Sequence, residues 1–286
     1  SVAFSPDGTQ VLTGSDDDTA KLWDASTGQE VRTFVGRTLF GLTFDVIGVA
    51  FSPDGTKVLT WCADNTGQLW DADTGEEIRT FVAPDYFALV SSIAFSPDGS
   101  KIVTGGSSYD RSTEDVVGIS LLWDVETGKV IERLRGHKDP VLSVTFSPDG
   151  TTVLTGGRDQ TARLWNARTG DQMREYGGHT DSVCSAAISP DGTKVLMGYA
   201  DKTARLWDAE MGHEIRRFVG HTDWVSSVAF SPNENHIVTG SWDETARLWD
   251  VTTTEVICTF SGHVDSISSI AFSPDGEWIL TGSKDK

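Results

Sequence analysis

The chain is poor in residues that carry covalent or metal chemistry. It has three cysteines, Cys62, Cys184 and Cys258, and six histidines in 286 residues. The cysteines are odd in number and lack metal-ligand spacing. That argues against a disulfide framework or a zinc site and leads to an expectation of structural thiols in a reducing, cytoplasmic setting. No apolar run approaches the roughly 20 residues needed to span a bilayer. Positive charge is also scarce: 23 Lys and Arg stand against 42 Asp and Glu, for a net charge of −19. A surface of that sign disfavours phosphate backbones and anionic lipid surfaces, so neither nucleic acid nor membrane is expected as a partner. Hydrophobic content of 38% and charged content of 23% describe a soluble globular chain.

What the sequence has in abundance is one cassette, F-S-P-D-G followed by L-W-D. Its Phe position falls at Phe4, Phe51, Phe95, Phe146, Ile188, Phe230 and Phe272, and its Trp position at Trp23, Trp70, Trp123, Trp165, Trp207 and Trp249. From Phe146 onward the period is 42 residues. A period of that size marks a repeat architecture. The cassette also accounts for much of the charge. Asp7, Asp54, Asp98, Asp149, Asp191 and Asp275 sit in S-P-D-G turns, and Asp24, Asp71, Asp124, Asp208 and Asp250 follow the repeat Trp. Asp is favoured in turns because it can hydrogen-bond its own local backbone.

One repeat translates into a sheet. Residues 224–230, W-V-S-S-V-A-F, are small, β-branched and aromatic without helical periodicity, which suits a strand buried on both faces. Residues 236–241, 245–249 and 255–260 form three more strands separated by short turns. Four strands so connected make an antiparallel meander. Meanders repeated around a central channel make a β-propeller. The order G-H, S-P-D-G, G-S-x-D and L-W-D resembles the WD-repeat propeller family over essentially the whole chain.

The fold expected is therefore an all-β propeller of four-stranded antiparallel blades, one domain over residues 1–286. The sequence supplies seven first and second strands but six third and fourth strands. The expectation is a seven-bladed ring with six complete repeats and half of a seventh, which about 24 further residues would complete. A further segment, or a partner, is expected to cover that open half, because a bare strand edge is an aggregation liability.

Several residues imitate a catalytic or metal site. G-H-T-D-S occurs at 178–182, and His/Asp pairs recur at His137/Asp139, His221/Asp223 and His263/Asp265. A triad needs one nucleophile aligned with one base beside an oxyanion hole. A constellation copied in blade after blade reads instead as part of the blade. The resemblance implies a hydrogen-bonded tetrad of His, Ser or Thr, Asp and Trp. By position these are His137, Thr155, Asp159 and Trp165 in one blade, and His221, Thr239, Asp243 and Trp249 in another. Met197 takes the hydroxyl position of the blade with Asp201 and Trp207, so that network is expected to be broken or rearranged. Arg37 replaces the His of the second blade, and Ala83-Pro84 takes its place in the third. No enzyme activity and no cofactor are expected.

Binding is expected where the cassette departs from itself. Five extra residues lie around 37–42, two near Asp85-Tyr86-Phe87, and nine within 107–117. All fall in fourth-to-first or second-to-third connections, which share the top face, and insertions in repeat proteins collect on the binding face. Leu39, Phe40, Tyr86 and Phe87 are the apolar candidates there. The resemblance further implies contacts at the start of the first strand and just before the tetrad Asp. These positions hold Trp224, Ser226 and Trp242 in one blade, Pro140, Leu142 and Arg158 in another, and Ser182, Cys184 and Ala200 in a third.

The leading functional expectation is a non-catalytic scaffold for a protein or peptide. Its regular units look like bacterial WD-repeat proteins, where propellers often serve as regulatory parts of larger chains. The alternative is a propeller that binds a small ligand or metal in its channel. That reading requires several polar side chains converging at the channel mouth.

Overall fold

The computed structural model describes residues 1–36, 43–84, 87–110, 114–177 and 181–285, without the side chains of Phe87, Ala88 and Asp110. These residues form six four-stranded antiparallel sheets, each in simple sequence order, and one two-stranded sheet of Ile267–Phe272 and Ile279–Ser283. The repeat analysed above folds as Val225–Phe230, His236–Ser241, Ala246–Asp250 and Val256–Phe260, within a residue of the expected bounds. The all-β propeller of four-stranded blades is thus what the chain adopts.

The S-P-D-G turns show why so many acids are needed. Ser5 Oγ donates to Asp7 Oδ1 at 2.6 Å while accepting from Gln10 N at 2.9 Å, and Thr9 N donates to the same carboxylate at 3.0 Å. The Ser–Asp bond recurs at 2.5–2.6 Å in the turns of Asp54, Asp98, Asp149, Asp191 and Asp275. The glycine that ends the turn takes a positive φ, 72° at Gly8, which other residues adopt only with strain.

Adjacent sheets are held together in two layers. Away from the axis, an aromatic ring on the fourth strand of one sheet meets the repeat Trp of the next. Phe34 lies 5.6 Å from Trp70, Phe81 5.9 Å from Trp123, and Phe218 5.7 Å from Trp249 between ring centroids. Near the axis, serines of the first strands accept backbone N–H groups from the next first strand. Val144 N reaches Ser92 Oγ at 3.1 Å, Ala186 N reaches Ser143 at 3.0 Å, Val228 N reaches Ser185 at 3.2 Å, and Ile270 N reaches Ser227 at 3.1 Å. Val2 N makes the corresponding bond to Ser269 Oγ at 3.3 Å, so the two-stranded sheet packs on the first sheet.

The nine-residue insertion is ordered chiefly as paired strand. The second and third strands of its sheet run Lys101–Asp110 and Asp115–Asp124, ten residues each, with pairing maintained through Ser107↔Gly118, Tyr109↔Val116 and Asp110↔Asp115. The first strand, Phe87–Phe95, lengthens alongside and pairs Leu89 with Ser107. β-Branched Val117 and Ile119, paired with small Ser108 and Gly106, continue the sheet instead of breaking into a loop. Residues 37–42, with Leu39 and Phe40, and residues 85–86, with Tyr86, lie outside the described residues.

Candidate functional site

Both expected tetrads form. His137 Nε2 lies 2.7 Å from Thr155 Oγ1 and its Nδ1 3.0 Å from Asp159 Oδ1, while Trp165 Nε1 donates to Thr155 Oγ1 at 2.8 Å. The corresponding distances in the other blade are 2.7 Å from His221 to Thr239, 2.8 Å from His221 to Asp243, and 2.9 Å from Trp249 to Thr239. Burial lowers the His221 pKa against the opposing pull of Asp243. A neutral ring then donates from Nδ1 to the carboxylate and accepts the threonine O–H at Nε2. Burial works against the Asp243 carboxylate, yet the Thr245 hydroxyl, the Thr222 amide and His221 together hold it at about 2. Both ring nitrogens are engaged and Thr239 is fully buried, so this His/Asp/hydroxyl set presents no nucleophile to a substrate.

In the blades that depart from the tetrad pattern the Trp indole still finds a hydroxyl. In the second blade Trp70 Nε1 donates to Thr60 Oγ1 at 2.9 Å, and the wholly buried Gln68 lies with Oε1 3.4 Å from that hydroxyl and Nε2 3.4 Å from Thr66 Oγ1. Gln68 stands where other repeats carry Arg163, Arg205 and Arg247, and that break in the pattern was its signal in the sequence. The blade with Met197 is rearranged. Trp207 Nε1 donates to Tyr199 OH at 3.1 Å, and that hydroxyl lies 3.1 Å from Met197 Sδ. Gly178, His179 and Thr180 are outside the described residues.

Of the binding candidates, the structure brings Trp224 and Trp242 into a stack, with ring centroids 4.5 Å apart and planes 21° from parallel. The stack is anchored by Trp242 N donating to Trp224 O at 2.9 Å, and Trp242 remains 38% exposed. The Lys284 ammonium lies 5.1 Å from the Trp242 ring centroid, a contact the sequence did not single out. Pro140 and Arg158 form the equivalent pair, with Arg158 N donating to Pro140 O at 2.9 Å. Arg158 is exposed and Leu142 half-buried. Ser182, Cys184 and Ala200 lie on the blade between these pairs, with Ala200 N donating to Ser182 O at 3.1 Å. Ser226 is less available than its position implied, because its hydroxyl sits 3.1 Å from Gly240 O and 2.5 Å from Ile267 O. The strand that carries Phe87 belongs to the lengthened sheet, which adds exposed Leu89, Tyr109 and Val116.

The opposite end of the channel is apolar. A cavity of about 700 Å³ is lined by Phe4, Phe51, Phe95, Phe230 and Phe272 together with prolines of the S-P turns. The serines that reach it, Ser5, Ser52 and Ser273, direct their hydroxyls into their own turns. Among the described residues, no group of three or more His, Cys, Asp or Glu is placed to hold a metal ion.

Comparison with known proteins agrees with this geometry. The nuclear distribution protein PAC1 of Coccidioides posadasii is 32% identical over 164 residues, covering 57% of this chain and 33% of that protein. The periodic tryptophan protein 2 homolog of Neurospora crassa is 45% identical over 42 residues, covering 15% of this chain and 5% of that protein. Autophagy-related protein 16 of Arabidopsis thaliana is 47% identical over 38 residues, covering 13% and 8%. The chain therefore spans a third or less of the length of each of these relatives. The WD domain, G-beta repeat pattern matches seven stretches, residues 1–24, 28–71, 75–113, 128–166, 170–208, 212–250 and 254–286. With matches running through nearly its whole length, the chain belongs to the WD-repeat family.

Proposed function

We propose that this propeller is a non-catalytic scaffold that binds a protein or peptide through its top face, as an interaction module of a larger protein. The observation that carries this reading is the Trp224–Trp242 stack, which leaves a large aromatic surface half in water at a second-to-third turn. Exposed Trp is costly to hydrate and is enriched at interface hot spots, where truncation can cost more than about 2 kcal/mol. Arg158, Pro140 and Leu142 stand at the equivalent place two sheets away, and exposed Leu89, Tyr109 and Val116 lie on the lengthened sheet packed beside them. The reading of the channel as a small-ligand or metal site draws less support, since its described mouth offers apolar rings where converging polar groups are required.

The test is capture of partners by the parent and by a Trp224→Ala/Trp242→Ala variant of matched thermal stability. Proteins that bind the parent should lose about 30-fold or more in affinity. An unchanged set bound with unchanged affinity would remove the stack from the site. The same reading takes the ring as seven-bladed, supported by the Val2–Ser269 bond between the first and last sheets. A crystal structure with six blades around the axis would refute it.

A further inference from the structure

We infer that the channel end ringed by the S-P-D-G turns is a second docking site, which takes a large apolar side chain of a partner polypeptide that carries Arg or Lys close to it in sequence. The site lies at the end of the channel opposite the Trp224–Trp242 surface, and the inference goes beyond the function proposed above. The apolar half of the site is the cavity of about 700 Å³. Phe4, Phe95 and Phe272 line it and are only half-buried, and Pro190 at its rim is exposed. Apolar rings left partly in water around an open cavity mark an interaction surface. Because Ser5, Ser52 and Ser273 bond into their own turns, the mouth suits an apolar occupant better than a polar one.

The charged half adjoins it. A cleft of about 560 Å³ between the sheets that begin at Val141 and Val183 meets the mouth at Pro190 and is lined by Asp149, Asp191 and Glu210, all exposed. In the related turns Lys57 stands 4.0 Å from Asp54, and Lys194 stands 3.4 Å from Asp191 while also reaching Glu234 at 3.1 Å. Thr152 takes the corresponding place beside Asp149, which therefore lacks the lysine of those turns. Hydrogen bonds from the Ser147 hydroxyl and the Thr151 amide hold the Asp149 carboxyl below its ordinary range, so it is ionised at neutral pH. A second cleft, of about 350 Å³, meets the mouth at Pro53 and holds Asp54 and Asp98.

Charge complementarity selects the occupant. The mouth alone would accept any large hydrophobic side chain. Carboxylate clefts that open from its rim, on a chain of net charge −19, favour a side chain flanked by cations and repel one flanked by acids. Pro190 and Asp191 are consecutive, so one short segment can touch both the apolar and the anionic surface. An extended peptide carries side chains i and i+2 on one face. The pattern that fits is cation, spacer, large apolar residue, spacer, cation.

The probe is the fluorescein-labelled peptide Ser-Arg-Gly-Phe-Gly-Arg-Ser, titrated into the 286-residue protein and read by fluorescence anisotropy. Saturable one-to-one binding is expected. Ser in place of the central Phe should weaken it about 10-fold or more, and Ser in place of both Arg about 3- to 10-fold. Glu in place of both Arg should abolish it. Added salt should weaken the Arg peptide and leave the Ser-flanked one unchanged. In the protein, Asp149→Asn/Glu210→Gln should cost the Arg peptide about 3-fold and the Ser-flanked peptide nothing. The turn tolerates the first change, since Asn233 accepts the Ser231 hydroxyl at 2.8 Å in the corresponding turn. Ala50→Leu, which narrows the mouth, should remove the advantage of Phe over Ser; the peptide series carries the test if that variant folds poorly. The Trp224→Ala/Trp242→Ala variant should bind the peptide as the parent does, which separates this site from the top-face reading. Absence of saturable binding, equal affinity for the Phe and Ser centres, Glu-flanked binding as tight as Arg-flanked, or loss of binding in the double Trp variant would each overturn the inference.

Discussion

Replacing His221 by alanine tests whether the relay holds the blade together. The His221 side chain is 2% exposed and that of Asp243 6%, and Thr239 is completely buried. Removing the ring takes away the acceptor that Thr239 Oγ1 meets at 2.7 Å. Asp243 keeps bonds from Thr222 N at 2.9 Å and Thr245 Oγ1 at 2.6 Å, so its loss is partial. An orphaned buried donor costs about 1–3 kcal/mol. The cavity and the lost contact with Trp249, whose ring lies 6.2 Å away, raise the total to about 3–5 kcal/mol. For a chain of this size that is a fall in Tm of about 6–15 °C. His263→Ala provides the internal comparison. Its relay distances agree to within 0.1 Å, but the His263 side chain is 30% exposed and water can replace it, so the expected loss is below about 1 kcal/mol. Differential scanning calorimetry of both variants, with Thr239→Val to complete a double-mutant cycle, should give a coupling of about 1–2 kcal/mol between His221 and Thr239. A His221→Ala melting point within about 2 °C of the parent, or an equal fall for His263→Ala, would refute the argument.

Two further outcomes follow from the same chemistry. Tyr199→Phe removes the hydroxyl that accepts the Trp207 indole N–H at 3.1 Å, and should lower stability by about 1–3 kcal/mol in chemical denaturation; parent-like stability would show that this hydroxyl is dispensable. The turn carboxylates should make the fold acid-sensitive. The Ser52 hydroxyl bond holds Asp54, and the Ser96 hydroxyl bond holds Asp98, at about 2 against an ordinary 3.8. A carboxylate whose folded pKa is depressed contributes its stability fully above the unfolded value and loses it as pH falls through the folded one. Tm should therefore drop between about pH 4 and pH 2, and Asp54→Asn should flatten part of that drop; identical pH profiles for the two proteins would contradict the assignment.

The blades were legible because their parts repeat. Phe, S-P-D-G and L-W-D each recur at fixed spacing, and each does a local job: a buried strand end, a self-bonded turn, a ring between sheets. The two tetrads were legible for the same reason. What escaped were substitutes supplied from outside the repeated positions. Gln68 reaches a threonine hydroxyl from a site that in three other repeats holds Arg, and Tyr199 answers for Met197 from two residues further along the strand. Side-chain reach, not spacing, decides such cases. Ser226 shows the converse, since its position implied a contact with a partner while two carbonyls of neighbouring strands surround its hydroxyl. The insertion near Ser107 read as a departure from the repeat, but only pairing across Tyr109 and Val116 reveals that it lengthens the sheet.

That lengthened hairpin removes a degeneracy. A ring of like repeats offers an approaching molecule nearly the same surface at each step of rotation about its axis, so contacts alone would dock it in several orientations of similar energy. Four extra residues per strand, at about 3.3 Å each, raise one sector by roughly 13 Å. The face becomes keyed: a molecule that fits against Tyr109 and Val116 in one rotation meets the hairpin as an obstruction in the others. One asymmetric sheet thus gives the whole disc an azimuth.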